Sequence, residues 1–185
     1  VSMLLNTAPF MIYFGEEVGE KGMDEEGFSG RDGRTTIFDW WSVGSFSRLR
    51  KVIASGTYKT MDAKAIEEAG LNREEAEFFC RFAEVKRLAA SDPAIKHGTT
   101  YDLCYCNSCS DGFDRNRHFV FLRGHIDHTV LVAANFSNHE ANMKIVIPEH
   151  AFQWMEIPVS EDLYPGKEID VKVAPMDATI LTLID

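Results

Sequence analysis

Three cysteines fall within six positions, Cys104-Tyr-Cys106-Asn-Ser-Cys109, and thiolates this close together can hold Zn²⁺. A fourth ligand at finger-like spacing is missing, and His97 and His118 are the nearest candidates. The competing reading is a strand with small buried thiols beside a turn. That reading is preferred, so no metal and no cofactor is expected. Glu16 and Glu17 form a tempting carboxylate pair, yet adjacent residues leaving a strand point to opposite sides. They read as structural carboxylates, and no catalytic residue is assigned. Asp32 and Arg34 place an acceptor and a donor two positions apart, a pair able to grip vicinal hydroxyls. An ion pair ordering a long surface loop would use the same two residues. Phe38, Trp40 and Trp41 could stack on a flat ligand, although rings more often close a loop onto a core. His125, His128, His139 and His150 fall on turns without metal-binding spacing.

The elements that must position these groups change character near residue 97. Ala8–Phe14 is a short apolar run that passes at once into Gly15-Glu16-Glu17, as a buried parallel strand does on entering an active-site loop. Tyr13 would border whatever that loop encloses; a packed Tyr with a satisfied hydroxyl is the alternative. Residues 15–42 read as an irregular, Gly-rich loop of the length that usually carries function. Ser45–Ser55 spaces Phe46, Leu49, Val52 and Ile53 as a short amphipathic helix, and Asp62–Ala69 predicts another, stopped by Gly70. Asn72-Arg-Glu-Glu75 is a capping box, after which Phe78, Phe82, Val85 and Ala89 mark one buried helical face. Asp92-Pro93 ends that helix. Six β-rich stretches follow: Thr99–Cys106, His118–Arg123, Thr129–Asn135, Met143–Ile147, Glu168–Val173 and Thr179–Leu183. Turn residues separate them, the pattern of an antiparallel sandwich.

Composition bounds the partners. Hydrophobic residues make up 45% of the chain and charged ones 26%, as in globular proteins that bury a core. A formal net charge of -10 argues against nucleic acid and anionic membranes. A neutral partner is indifferent to it. No apolar run approaches the roughly 18 residues of a bilayer span. Val1-Ser-Met-Leu-Leu5 lacks the basic flank and cleavage site of a signal peptide, which leaves the compartment open.

Ala8-Pro-Phe-Met-Ile-Tyr-Phe-Gly-Glu-Glu-Val-Gly19 resembles the Pro-x-x-Tyr-Tyr-Gly-x-Glu pattern of the eighth barrel strand in the α-amylase family of glycoside hydrolases. Gly30-Arg-Asp-Gly-Arg-Thr-Thr-Ile-Phe-Asp-Trp40 resembles the Arg-Asp-x-x-Arg-Thr-Pro-Met-x-Trp segment that follows it in oligosaccharide-cleaving members. Relative to that segment, one residue is missing between Asp32 and Arg34. Phe119–Arg123, Thr129–Ser137 and Ile145–Pro148 resemble the Phe-x-Arg, Val-x-Asn-Phe-Ser and Ile-Pro landmarks of the family's C-terminal β-domain. The landmarks run in family order along nearly the whole chain. Asn135-Phe-Ser137 also fits a glycosylation acceptor, but it coincides with a landmark and reads as structural.

The resemblance implies an α+β fragment. Residues 1–97 would be the terminal strand-and-helix unit of a (β/α)8 barrel, and residues 98–185 an antiparallel, Greek-key β-sandwich domain. It also implies retaining cleavage or transfer at α-glucosidic bonds of α-glucans or maltooligosaccharides. That chemistry needs a nucleophilic carboxylate and a second carboxyl group that acts first as acid and then as base. In the family these groups follow the fourth, fifth and seventh strands. The 185 residues hold none of those strands and are expected to be inert alone. Asp32, Arg34 and Tyr13 become the expected substrate-binding residues, and the unpaired strand a surface for self-association. The alternative is a self-standing β-sandwich module that binds carbohydrate without cleaving it.

Overall fold

The structure, a computed structural model, describes residues 1–20 and 43–185; Asp32, Arg34, Phe38, Trp40 and Trp41 lie outside the described residues. The helices among them are α1 (Ser2–Leu5), α2 (Gly44–Ser55), α3 (Ala63–Ala69), α4 (Arg73–Ser91), α5 (Pro93–His97) and α6 (Glu149–Met155). The strands are β1 (Thr99–Asp102), β2 (His118–His125), β3 (His128–Asn135), β4 (Ala141–Val146), β5 (Glu168–Val173) and β6 (Ala178–Ile184). The chain is thus α+β. It divides into two units, Phe10–Arg87 and Val1–Pro9 with Leu88–Asp185.

The Phe10–Arg87 unit is helical. Leu49 and Val52 of α2, Ile66 of α3 and Ala76 of α4 share a core with Val18 and Leu71. Local chemistry sets the helix ends. The Asp62 carboxylate accepts from Lys64 N at 3.0 Å to start α3, and Gly70 takes φ 143° to end it. The capping box of α4 closes both ways: Glu75 N donates to Asn72 Oδ1 at 2.9 Å, and Asn72 N to Glu75 Oε2 at 3.0 Å.

Two expectations for this part of the chain differ from the structure. Ala8–Phe14, expected as a barrel strand, forms none, and Phe10, Met11, Ile12 and Tyr13 are exposed. A parallel strand exists only with hydrogen-bonded neighbours, and none of the described strands pairs with this segment. The buried face of α4 is also displaced. Phe78 is exposed and Phe82, Val85 and Ala89 are half-buried, while Ala76, Phe79 and Cys80 join the core. Those three follow the same i, i+3, i+4 rule on a neighbouring stripe, and packing with Leu49 and Ile66 selects between the stripes.

The second unit holds two antiparallel sheets, one ordered β1-β2-β3-β6 and one pairing β4 with β5. Each strand falls on a stretch that the sequence marks as β. Val120, Leu122, Leu131 and Ala133 share a core with Met143, Ile145, Val171 and Val173, so inner faces of both sheets meet in it. The alternate residues Phe121, Val130 and Val132 are buried as well, because β2 and β3 are covered on both faces. Helix α5 packs on β2 and β3 and buries Ala94 and Ile95. Pro93 does more than end α4. It occupies the first turn of α5, where Asp92 accepts from Ile95 N at 3.0 Å. Gly98 then makes the junction to β1 possible: a Cβ there would lie 2.2 Å from Ala94 O and 2.4 Å from Gly124 O.

Candidate functional site

Tyr13 is the expected site residue that the structure describes, and the turn after it is tightly built. The Glu16 carboxylate accepts from Tyr13 N at 2.9 Å, while Glu16 N donates back to Tyr13 O at 3.1 Å. Gly15 turns the chain at φ 77°, and residues Glu16–Val18 make one 3-10 turn that buries Val18. Glu20 closes the turn through its N–H to Gly15 O at 3.0 Å. Its carboxylate also accepts from Phe46 N at 2.6 Å, within the first turn of α2, which has no side-chain cap of its own. A carboxylate there satisfies an orphan donor and complements the helix dipole. The Phe14 and Phe46 rings stand 4.3 Å apart, fixing the other side of the turn.

This frame leaves Tyr13 44% exposed. It stands at a solvent-open depression of about 340 Å³, walled by Ile12, Phe14, Phe79, Phe82 and Ala83, with Glu17 and Lys86 at its polar positions. Sequence reading did not single out Lys86, and it dismissed Glu17 along with Glu16. The two neighbours diverge within the 3-10 turn: Glu16 is committed to the backbone, and Glu17 lines the depression. A phenol, a carboxylate and an ammonium among aromatic walls can bind a polyhydroxylated ligand. Among the described residues, the depression is lined by one carboxylate, Glu17, and one ammonium, Lys86.

In the sheet unit the landmark residues are structural. Arg123 is 1% exposed and donates from Nη2 to Ile95 O at 2.7 Å and from Nη1 to Leu5 O at 3.1 Å; Nη1 also meets Thr100 Oγ1. The guanidinium thereby ties α1, α5 and β1 to β2. Asn135, also 1% exposed, donates to His139 O at 2.7 Å and Ala174 O at 3.1 Å and accepts from Ser137 N at 2.9 Å. Its amide is consumed by the turn after β3.

Cys104 and Cys106 lie in the turns after β1 rather than in the strand. Cys104 donates to Val120 O at 3.5 Å and Cys106 to Leu103 O at 3.2 Å. Burial pushes the Cys104 thiol up to about 11 and raises that of Cys106 too, so both are protonated donors rather than thiolates near neutral pH. Cys109 is exposed. Among the described residues, no three His, Cys, Asp or Glu side chains are grouped to hold a metal ion.

A second constellation escaped the sequence reading. Tyr101 of β1 hydrogen-bonds through its hydroxyl to Tyr105 Oη at 2.7 Å and to His150 Nδ1 of α6 at 3.0 Å. The Trp154 ring centroid lies 5.8 Å from that of Tyr101. The i, i+4 spacing of His150 and Trp154 was its one sequence signal.

No protein-family model matches the chain, and no curated protein matches it. Among solved structures, the isomaltulose synthase from Klebsiella sp. LX3 is similar to it, at 12% sequence identity and a TM-score of 0.47. That similarity covers 98% of this chain and 36% of the other, so the chain spans about a third of that structure's length.

Proposed function

We propose that this chain is the C-terminal portion of an α-amylase-family enzyme that hydrolyses or transfers α-glucosidic bonds in α-glucans or maltooligosaccharides. The observation that carries the reading is the order of the sequence landmarks, from Ala8–Gly19 through Gly30–Trp40 to Phe119–Arg123, Thr129–Ser137 and Ile145–Pro148. Support comes from the last three, which fall along β2, β3 and β4, with Arg123 and Asn135 buried. On this reading residues 1–97 are the end of the barrel and residues 98–185 its β-domain. Asp32, Arg34 and Tyr13 hold sugar near the scissile bond, with Glu17 and Lys86 as a further acceptor and donor. The carboxyl pair of the retaining mechanism belongs to barrel strands outside these 185 residues.

The pure chain is therefore expected not to turn over an activated α-glucoside. In the enzyme that carries it, Asp32→Ala should lose about 1.5–3 kcal/mol of transition-state binding, read as a fall in kcat/KM at an unchanged Tm. Unchanged kinetics would return Asp32 and Arg34 to a loop-ordering ion pair. The second reading, a carbohydrate-binding β-sandwich module without catalysis, is favoured by the exposed Tyr105 and Trp154 rings.

A further inference from the structure

We propose that Tyr105 and Trp154, set against Tyr101 and His150, form a docking platform for a neutral α-glucan chain on the sheet unit, separate in sequence from Tyr13, Asp32 and Arg34. The glucan assignment rests on the function proposed above; the platform itself rests on geometry.

Trp154 is 53% and Tyr105 61% exposed, although rings of this size usually contribute their area to a core. They are not loose side chains. Tyr101 is buried and anchors both, with ring centroids 6.3 Å from Tyr105 and 5.8 Å from Trp154. His150 and Trp154 share one face of α6, and the His150 ring stands 5.8 Å from Tyr101. Burial raises the Tyr101 phenol above its ordinary value, so its hydroxyl keeps its proton at any working pH.

The chemistry of the patch selects its occupant. Flat apolar faces lie beside a continuous chain of polar atoms, Tyr105 Oη to Tyr101 Oη to His150 Nδ1. A pyranose is amphipathic in the same way: its C–H face stacks on a ring while hydroxyls at its edge exchange hydrogen bonds. A single-stranded nucleic acid also stacks on aromatic rings, but it needs cations for its phosphates. None of the four residues is Lys or Arg, Glu149 opens α6 and Glu156 caps its end, and the chain carries a net charge of -10. An anionic membrane is disfavoured on the same ground. A wholly apolar partner would cut off the hydroxyl–imidazole chain from water without replacing its outer hydrogen bonds.

Calorimetric titration of the full 185-residue chain with maltoheptaose, and separately with cellohexaose, tests this. Saturable maltoheptaose binding is expected, weakened at least about tenfold by Trp154→Ala and by Tyr105→Ala. Both side chains are more than half exposed, so thermal unfolding should shift by only a few degrees and the variants stay folded at the titration temperature, a control that separates lost binding from lost folding. Maltoheptaose binding unmoved by either substitution would overturn the platform while leaving the α-glucan reading intact, with the sugar bound elsewhere. Cellohexaose binding lost in both variants, without maltoheptaose binding, would overturn the α-glucan assignment. Binding of neither sugar would overturn the platform and leave the proposed parent reaction to its own kinetic assay.

Discussion

Arg123 keeps its guanidinium where almost no water reaches it, and three elements converge on that charge. Burial lowers its pKa, and the Asp92 charge works against that shift. Two backbone carbonyls, Leu5 O and Ile95 O, take their hydrogen bonds from it; Nε has no partner among the described residues. Arg123→Met would leave Ile95 O without its donor, while Leu5 O keeps the Thr100 hydroxyl, and is expected to cost the sheet unit about 1–3 kcal/mol in denaturant titrations. Arg123→Lys should recover only part of that loss, because a single ammonium cannot reproduce the fork. Glu75 provides a second test. Hydrogen bonds from Arg48 hold its carboxyl at about 2 against an ordinary 4.5; burial opposes this, and Ser45 and Asn72 N–H assist it. Since the folded value is the lower one, the stabilisation is complete above pH 4.5 and drains away as pH falls toward 2. Arg48 is 40% exposed, so solvent screening limits the effect to roughly 1–2 kcal/mol. Glu75→Gln should lower the stability of the helical unit at pH 7 and flatten its decline between pH 5 and 2. An equal decline in both proteins would reject the assignment.

Glycines separate two kinds of constraint on the elements. Gly56 ends α2 at φ 77° with open space around it, so Gly56→Ala carries only backbone strain, about 1 kcal/mol. Gly98 has an ordinary φ, but its missing side chain lets the end of α5 meet β2 at Gly124. Gly98→Ala is expected to cost more, about 2–4 kcal/mol, because both obstructing groups are backbone carbonyls that cannot rotate away. Unfolding midpoints of the two variants in one denaturant series should fall in that order. The same junction explains why α5 was not foreseen. Pro93 forbids continuation of α4, yet it suits the first turn of a new helix, and five residues are too few to show periodicity.

At the scale of the whole molecule, the two units should differ in protection. Amides of 120–123 and 130–134 lie in strands paired on both sides and are expected to exchange slowly. Phe10, Met11, Ile12 and Tyr13 present an exposed apolar run next to the depression at Glu17 and Lys86. A surface of that kind recruits a second chain. Protection of residues 10–14 should therefore rise with protein concentration while that of β2 and β3 stays constant. Concentration-independent protection in both regions would show that residues 10–14 need no partner.

The sequence by itself determined what depends on neighbours along the chain. The six strands follow from alternation and turn residues, the Asn72–Glu75 box from its spacing, and the end of α3 from Gly70. Asp32 and Arg34, also read from the sequence, lie outside the described residues. Tertiary structure decided what depends on distant partners. Ala8–Phe14 reads as a strand but has no ladder to join among the described residues, since strand formation is a property of pairs. Two apolar stripes run along α4, and only contact with α2 and α3 picks one. Tyr101, His150 and Trp154 meet across roughly fifty positions of sequence, a separation at which spacing carries no signal. Their contact required the fold to bring α6 back over β1.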